Sequence, residues 1–470
     1  MKKQKELAKN TIIIFIGKAC TQFISFLLLP LYTAILSNGD YGFIDLVTTY
    51  VTLFVPLITL QLETAVFRFL IDARNNTEKQ KDIISNSFIT CIITSSLILC
   101  IFILLNFFIK IKYFCLIIIL IYCTLLSNFA LQVSRGNGKN TDYAIASTII
   151  GVFTILLNIL FLVFLKLGVA GMLMAQSIAN LLGFLYILFK SKLYLFISKK
   201  NYNKKITKSL LEYSLPLVPN GLIWWIINVS DRTIISIVLD VAANGIYAVS
   251  NKFSTIIIQI YNVFNLSWTE SAAVHIKDED KDSFFSETFN FIIQLFISIG
   301  ILVIGIMPVL FNVMVSSSYA DAYNYIPLLI IGTFFNIVVS FIGGIYVALK
   351  KTKSIAMTSF LSGVINIIIN LFLISKIRIY AAAISTIVAF ASMSIYRYID
   401  VQKYVELRIN HKKFITLLFC VIVSCILYYK KQLITNIMLF AFSSLLFLVI
   451  NLKYVVKTFD MMRIKFNKNI

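Results

Sequence analysis

Apolar runs of about 18 or more residues recur along this chain from one end to the other, and they constrain its fold more than any other feature. A run of that length with few charges can cross the hydrocarbon layer of a bilayer as one helix. Only 13% of the 470 residues are charged, whereas a soluble globular domain is about 25% charged. No stretch between the runs is long enough to form a soluble domain. The sequence therefore predicts an all-α polytopic membrane protein.

Fourteen spans are predicted, and the loops between them are short. The first apolar run continues to Leu36, which indicates an uncleaved span rather than a signal peptide. The predicted spans cover residues 10–36, 41–70, 83–108, 113–134, 142–165, 168–189, 209–239, 243–274, 285–315, 323–349, 354–375, 379–401, 414–429 and 433–452.

The distribution of lysine and arginine orients these spans. With a cytoplasmic N-terminus, 32 of the 42 basic residues lie on the cytoplasmic side, 7 on the opposite side and 3 within spans. Arg68 and Arg397, at the ends of their spans, are counted with the adjoining loops. This asymmetry predicts that both termini are cytoplasmic. The net charge of +21 therefore reflects topology and contact with anionic lipid, not nucleic-acid binding.

Two segments near the outer ends of spans resemble each other at an offset of roughly 200 residues. They are "LSNGDYGFIDLV" (Leu36–Val47) and "LDVAANGIYAVSNKF" (Leu239–Phe253), each with Asn-Gly near the start of a long helix. Glu63 and Glu270, near the cytoplasmic ends of spans 2 and 8, nearly superpose at the same offset. Spans 2 and 8 both start on the side opposite the cytoplasm. The pattern therefore predicts a parallel repeat about an axis along the membrane normal.

The repeat predicts the domain organisation. Residues 1–189 and 209–401 would form two six-helix bundles in pseudo-two-fold arrangement, joined by a basic cytoplasmic linker at 190–208. Residues 402–470 would add two transmembrane helices and a basic cytoplasmic tail. Two facing bundles are typical of transporters that bind substrate between the repeats. The sequence has no P-loop motif, so ATP bound to this chain would not drive transport.

Basic side chains inside spans are candidates for function, because an unpaired charge in a bilayer is costly. Lys18 lies in span 1, Arg232 in span 7 and Lys252 near the start of span 8. We interpret them as the walls of a hydrated, cationic cavity suited to an anionic headgroup, since guanidinium pairs well with phosphate. The alternatives are that Lys18 and Lys252 snorkel to the interface, or that Lys252 forms a structural ion pair with Asp231.

The acidic candidates are Asp45, Glu63, Asp231 and Glu270, which would balance charge or couple ion flow. A structural ion pair is an equally open interpretation for each, and Glu63 could pair with Lys18. Neighbouring residues on a helix project about 100° apart, so Asp231 and Arg232 cannot pair well with each other. Each therefore needs a partner on another helix, or water.

Four prolines are candidate hinges. Pro30 and Pro56 interrupt spans 1 and 2, whereas Pro216 and Pro219 stand where span 7 begins. Packing and gating remain equally open for these residues. Trp268, near the cytoplasmic end of span 8, is predicted to anchor at the membrane interface.

The segments "YSLPLVPNGLIWWIINVSDRTIIS", "ANGIYAVSNKF" and "LSWTESA" resemble the polysaccharide (O-antigen, Wzx-type) flippases of the multidrug/oligosaccharidyl-lipid/polysaccharide exporter superfamily. The N-terminal "NTIIIFIGKACTQFISFLLLPLYTAILSNGDYGFIDLV" is similar to the start of that family. The resemblance extends over essentially the whole chain, including the plan of 14 spans.

This resemblance implies a multi-pass protein of the bacterial inner membrane that is not an enzyme. It would move an undecaprenyl-pyrophosphate-linked oligosaccharide from the cytoplasmic to the periplasmic leaflet by alternating access. No cofactor is implied beyond a coupling ion, H⁺ or Na⁺. The polymerase and the chain-length regulator of the same pathway would be its partners. The cavity role carries over to Lys18, Arg232 and Lys252 by span.

Other functions compete with this interpretation. A drug or cation antiporter of the same superfamily would require an acid-rich pocket, but the charges within the spans here include three bases. A peptidoglycan-precursor flippase would have a cavity richer in arginine. An O-antigen polymerase would need a sizeable outer loop with catalytic residues, and the predicted outer loops are only a few residues long.

Overall fold

The computed structural model describes residues 26–198 and 201–467, and in this part of the chain all regular structure is helical. The all-α fold predicted from the sequence is therefore confirmed. Lys18 lies outside the described residues. The chain divides into two compact units, Met1–Gly245 and Ile246–Ile470. The predicted bundle and linker boundaries remain a prediction.

The first unit contains nine helices among its described residues, and a tenth begins there. They are α1 (Leu29–Ile35), α2 (Asn38–Ile58), α3 (Leu62–Asp72), α4 (Thr77–Ile109), α5 (Phe114–Gly136), α6 (Asn140–Asn158), α7 (Gly168–Lys190), α8 (Lys204–Ser214), α9 (Leu217–Val238) and the start of α10 (Val241–His275). A π-helical turn, Ile159–Phe164, extends α6, and a 3₁₀ turn, Leu193–Leu195, follows α7.

The second unit contains the rest of α10 and six further helices. They are α11 (Lys281–Met314), α12 (Ile326–Ala348), α13 (Thr352–Ile377), α14 (Tyr380–Val401), α15 (His411–Lys430) and α16 (Leu433–Asn467). A 3₁₀ segment, Ser317–Tyr325, precedes α12.

Eleven helices among the described residues are long and apolar enough to cross a membrane. They correspond to predicted spans 2–6 and 9–14. Predicted spans 7 and 8 correspond to α9 and α10, which have 22 and 35 residues. At about 1.5 Å per residue, both are long enough for a bilayer. The chain is a multi-pass membrane protein, and about fourteen spans fit its helices.

Span 2 was predicted as one helix over 41–70, and this is wrong. It is broken between α2 and α3, where Leu60 and Gln61 adopt left-handed φ angles of 54° and 58°. Pro56 lies in the last turn of α2, and the Gln61 amide donates to the Pro56 carbonyl at 2.9 Å. This six-residue closure, with left-handed residues inside it, is how helices commonly end. A new helix therefore starts in the middle of the predicted span.

Span 7 also begins later than its prediction of 209–239. Residues 209–214 belong to α8, a short helix that buries Thr207, Leu210 and Ser214. Pro216 then precedes the first turn of α9. A proline lacks the amide proton that would continue α8 but is tolerated at a helix start, so the chain turns there. Consequently α8 crosses the predicted boundary between linker and bundle.

Trp268 is part of the core of the second unit, so its predicted role as an interfacial anchor is wrong. Its side chain is only 2% exposed. The indole N–H donates to the Phe341 carbonyl at 2.9 Å, and the two rings stack with centroids 4.0 Å apart. A Cβ at Gly344 would lie 2.6 Å from the indole nitrogen. The tryptophan is buried because the protein itself satisfies its one polar group.

In the first unit, α4 holds the segment that follows α7 through side-chain bonds to its backbone. The Asn86 amide donates to the Asn201 carbonyl at 2.8 Å, and its oxygen accepts from the Asn203 amide at 2.7 Å. Ser85 makes the same pair of bonds, one donated and one accepted, with residues 196–198. Two short side chains thus satisfy backbone groups that have no helical partner.

The second unit repeats this arrangement between α11 and the segment that follows α14. Asn290 donates to the Arg408 carbonyl at 2.7 Å and accepts from the Asn410 amide at 2.8 Å. Ser286 makes the matching pair of bonds with residues 406–408. A similar pattern of side-chain bonds to backbone thus recurs about 200 positions later, although Ser85 and Asn86 are adjacent and Ser286 and Asn290 are four residues apart.

Candidate functional site

An ion pair joins two of the predicted site residues. The Nε atom of Arg232 on α9 lies 2.7 Å from Oδ2 of Asp45 on α2. The two side chains are 18% and 11% exposed, respectively. The pair is therefore mostly shielded from solvent, where its Coulomb attraction is much stronger than at a surface. Arg232 is tolerated inside the protein because Asp45 compensates its charge.

Asn244, near the start of α10, adds a third polar group. Its side chain is fully buried, and Nδ2 donates to the Gly42 carbonyl at 3.0 Å. The same nitrogen lies 3.4 Å from Oδ2 of Asp45. The carboxylate is therefore approached by donors from α9 and from α10.

A close crossing of backbones lies beside this pair. A Cβ on Gly42 would overlap the carbonyl oxygen of Val241, and one on Gly245 would overlap that of Asn38. The two contacts are equivalent at an offset of 203 positions, so the crossing follows the internal repeat. Glycine is required at both points because any side chain would push the two helices apart.

A further contact joins α2 and α9 next to the ion pair. The hydroxyl oxygens of Tyr50 and Thr233 are 3.0 Å apart. Tyr50 follows Asp45 by five residues and Thr233 follows Arg232 directly, so these polar contacts form one continuous strip. We call Asp45, Tyr50, Arg232, Thr233 and Asn244 the polar strip.

Glu63 lies away from this strip, in the first turn of α3 beyond the helix break. Its side chain is buried, and its Oε2 lies 2.6 Å from the hydroxyl oxygen of Thr59. The same hydroxyl lies 2.9 Å from the Val55 carbonyl oxygen. The Thr59 hydroxyl therefore has two acceptors within reach, the Glu63 carboxylate and a backbone carbonyl.

Three further predicted charges lie on α9 and α10. Asp231 is buried on α9, beside Arg232 in sequence. Lys252 and Glu270 belong to the second unit, where Lys252 is half-buried and Glu270 is exposed. Both are on α10, 18 residues and therefore roughly 27 Å apart along its axis. Of the predicted residues within the first unit, the structure brings Asp45 and Arg232 together.

The candidate prolines lie at helix ends or breaks. Pro30 is in the first turn of α1, and Pro56 is in the last turn of α2. Pro216 precedes α9, and Pro219 is the third residue of that helix. These positions agree with the predicted interruptions of spans 1 and 2, whereas a role in gating remains a prediction.

The sequence analysis missed the pairing of Arg232 with Asp45 and the role of Asn244. The sequence did contain a clue to these contacts, namely the two Asn-Gly segments. We interpreted these segments as two matching turns and did not expect them to contact each other. It also missed Arg397, which was counted with a loop although it is 1% exposed. Its guanidinium donates to the Val339 and Ile355 carbonyls at 3.0 and 3.1 Å.

The profile of one protein family, described as polysaccharide biosynthesis protein, matches residues 7–268. This match spans more than half of the chain and includes the whole polar strip. The chain belongs to this family. No curated protein matches the chain by sequence.

Solved structures share the fold. One is the lipid II flippase MurJ in an inward closed conformation, with a TM-score of 0.69 and 18% identity over 96% of this chain and 100% of that one. Another is an inward-facing multidrug resistance MATE transporter of the MOP superfamily, with a TM-score of 0.69 and 11% identity over 83% and 98%. A third is a mutant of the Vibrio cholerae MATE transporter VcmN, with a TM-score of 0.57 and 16% identity over 85% and 96%.

The family and the fold confirm the resemblance seen in the sequence. This polysaccharide biosynthesis family member has the architecture of flippases and transporters and not that of an enzyme. It is a multi-pass membrane protein whose fold is shared with a lipid II flippase and with MATE transporters.

Proposed function

We propose that this protein is a flippase that moves an undecaprenyl-pyrophosphate-linked oligosaccharide from the cytoplasmic to the periplasmic leaflet of the inner membrane. The observation that carries the proposal is the family match to polysaccharide biosynthesis over residues 7–268. The fold shared with a lipid II flippase over 96% of the chain supports it. Both termini would be cytoplasmic, as the distribution of basic residues predicts.

In this proposal the polar strip lies towards the periplasmic end of α2 and closes the path to that side. Substrate leaves only when α2 separates from α9 and from the first turn of α10. This separation would break the Arg232–Asp45 pair and the Asn244 bond to Gly42. The freed guanidinium would then bind the pyrophosphate, because two parallel N–H donors match a phosphate group. The anionic substrate thus competes with Asp45 for Arg232.

The other predicted residues take supporting roles. Lys18 and Lys252 would add cationic charge to the cavity wall, and Asp231 and Glu270 would balance it. Glu63 would couple transport to H⁺, because its buried carboxyl contacts the neutral hydroxyl of Thr59.

The prolines would act at the interruptions of the spans. Pro30 and Pro56 lie at or next to helix breaks in the first unit. Pro216 and Pro219 set the start of α9. A proline removes a backbone hydrogen bond, so helices bend or hinge at such points with little loss of pairing.

A drug or cation antiporter is the second candidate, because the fold is equally similar to that of an inward-facing MATE transporter. Its substrates would be cationic, and they would not compete with Asp45 for a guanidinium. The charge of the substrate therefore separates the two candidates.

The experiment that tests the proposal follows lipid-linked sugar intermediates in the host. The gene is deleted, and the sidedness of labelled undecaprenyl-pyrophosphate oligosaccharide is measured together with surface polysaccharide. We expect short units to accumulate on the cytoplasmic leaflet, with reversal by wild type but not by Arg232→Ala. Arg232→Lys is the matched control that keeps the charge but loses the bidentate donor geometry.

Three other outcomes would contradict the proposal. Normal sidedness with short chains would indicate a polymerase. Unchanged glycans with altered drug sensitivity would indicate the antiporter. Rescue of cells that lack their lipid II flippase, without an effect on surface polysaccharide, would indicate a peptidoglycan-precursor flippase.

A further inference from the structure

The segment between α7 and α9 has an unusual surface. With Lys190, the last residue of α7, it contains seven lysines, of which Lys199 and Lys200 lie outside the described residues. The described ones are all exposed: Lys190, Lys192, Lys204, Lys205 and Lys208. Within residues 190–198 and 201–208, only Lys208 has a carboxylate in ion-pair range, and that contact with Glu212 is 3.8 Å long.

Hydrogen bonds hold the backbone that carries the described lysines. Asn86 and Ser85 bond to the backbone on both sides of the segment, and Asn203 caps α8 by accepting from the Lys205 amide at 2.9 Å. Because α8 also buries its Thr207, Leu210 and Ser214 face, its lysines are presented outward from a fixed helix.

The surface also has apolar side chains that no part of the described protein covers. Leu195 is 58% exposed and Leu215 is 47% exposed, and the tyrosines 194, 202 and 213 are exposed as well. The segment lies between two spans, since α7 ends at Lys190 and α9 begins at Leu217. It therefore lies at the membrane surface, where tyrosines and leucines enter the headgroup region.

A groove on α8 combines both properties. Its volume is about 370 Å³. Lys204 and Lys208 line it one helical turn apart, together with Leu211 and Leu215. Glu212 also lines it, and its carboxylate lies 3.8 Å from the Lys208 ammonium. A lysine pair above an apolar wall fits a lipid, with the phosphate at the lysines and the first acyl carbons along the leucines.

The matching segment of the second unit carries charges of both signs. There Lys403 pairs with Asp400 at 2.8 Å, and Arg408 pairs with Glu406 at 3.0 Å. Lys412 and Lys413 follow in the first turn of α15 and are exposed, as the lysines of α8 are. Exposed lysines thus occur at the corresponding place in both units.

We infer that the α8 surface, formed by Lys204, Lys205, Lys208, Leu211 and Leu215, binds the headgroups of anionic phospholipids in the adjacent leaflet. The lysines project from more than one side of a single helix, which suits several monoanionic headgroups better than one diphosphate. Such binding would fix the junction before α9 relative to the bilayer. The inference does not depend on the proposed substrate.

The test measures lipid binding to the purified full chain by native mass spectrometry, with phosphatidylglycerol and phosphatidylcholine as the probes. We expect wild type to prefer phosphatidylglycerol, and the triple variant K204Q/K205Q/K208Q to lose this preference. A surface lysine near anionic lipid contributes about 1 kcal/mol, which is roughly fivefold, so the loss should be on the order of 100-fold. The variant K204R/K205R/K208R should retain binding.

The matched control is K110Q/K112Q/K166Q, which removes the same charge from exposed positions on the predicted opposite side. It should bind phosphatidylglycerol as wild type does. The inference would be overturned if the α8 variant kept its affinity within about twofold, if both triple variants lost affinity equally, or if phosphatidylcholine bound as well as phosphatidylglycerol. Loss of geranylgeranyl pyrophosphate binding with unchanged phosphatidylglycerol binding would instead assign the surface to the lipid-linked substrate. Size-exclusion profiles check that each variant is folded.

Discussion

Arg232 illustrates how one buried charge can serve both stability and transport. Asp45 holds it at 2.7 Å, so removing either partner takes away a charge-assisted hydrogen bond that is mostly shielded from solvent. Breaking a buried pair in this way costs about 3–5 kcal/mol when the site is fully buried. Because both side chains retain some exposure here, the loss should fall below that range.

A double-mutant cycle separates the two roles of Arg232. We expect Asp45→Asn and Arg232→Gln each to lower the melting temperature of the detergent-solubilised protein. The double variant should lose less than the sum, with a coupling of roughly 1–3 kcal/mol, because it leaves no unpaired charge. If Arg232 also binds the pyrophosphate, the double variant regains stability but not lipid transport. Recovery of both properties would show that Arg232 is only structural, and purely additive losses would show that the pair does not form.

Arg397 is a second buried charge, and hydrogen bonds surround it. Its Nε and Nη2 atoms donate to Thr358 Oγ1 at 2.9 and 2.7 Å, and Nη2 also donates to Ser359 at 3.1 Å. With its bonds to α12 and α13 backbone carbonyls, it ties α14 to two neighbouring helices. A lysine has one nitrogen and cannot reach these acceptors together.

We therefore expect Arg397→Lys to destabilise the second unit. Each buried acceptor left without a donor costs about 1–3 kcal/mol, so the melting temperature should fall by several degrees. Arg408→Lys is the control, because its pair with Glu406 is exposed and should contribute within about 1 kcal/mol. Equal melting temperatures for the two variants would contradict the bonding described for Arg397.

At the scale of helices, the crossing of α2 with the first turn of α10 depends on glycine. Gly42 and Gly245 each face the carbonyl oxygen of the opposing helix with no room for a methyl group. The ion pair and the Asn244 bond lie next to this contact, so their geometry requires the same close approach. The glycines thus determine how closely α2 and α10 approach each other, and the polar contacts determine how the two helices are aligned along their axes.

We expect Gly42→Ala to separate the two helices and weaken the Asp45–Arg232 pair. Overpacking of this kind costs typically 1–3 kcal/mol, so the variant should melt earlier and flip less lipid. Gly39→Ala is the matched control on the same helix, since its Cβ would meet only the Ser37 hydroxyl at 3.9 Å. If the two alanine variants had the same melting temperature and the same transport, α2 and α10 would not cross closely in the membrane.

At the scale of the whole molecule, the pattern of apolar runs was sufficient to predict the fold class and most of the spans. The prediction failed at 59–61 and at 215–216, where hydropathy stays high although the helix ends. In both places the cause is local, since Pro56 and Pro216 alter backbone bonding without altering apolarity. The sequence shows where the prolines are. Whether a proline ends a helix depends on which turn of that helix it occupies, and the apolar pattern does not show this.

The candidate site was predicted in part, for a similar reason. The charged residues stand out in an apolar sequence, so Asp45 and Arg232 were identified. Which acid meets which base depends on how helices 187 positions apart pack, and a single sequence does not contain that information. Asn244 was missed because an asparagine in a repeated Asn-Gly segment was interpreted as part of a turn. Arg397 was missed because an arginine near the end of a span was counted with the adjoining loop.

The internal repeat leads to a reciprocal prediction for the two linker segments. Asn86 on α4 and Asn290 on α11 make equivalent bonds to the segments that follow α7 and α14. Each bond satisfies a backbone group, so its loss should release the local segment while the rest of the fold persists.

We expect Asn86→Ala to speed tryptic cleavage at the lysines of 190–208, with little effect at 403–413. Asn290→Ala should have the reverse effect, so each variant serves as the control for the other. Cleavage sites and rates are read by mass spectrometry on intact protein in detergent. If either variant accelerated cleavage in both segments, the two arrangements would be coupled parts of one structure. Unchanged rates in both would mean that these side chains do not hold the segments. Only the reciprocal result agrees with two units in which each asparagine holds its own linker segment independently of the other.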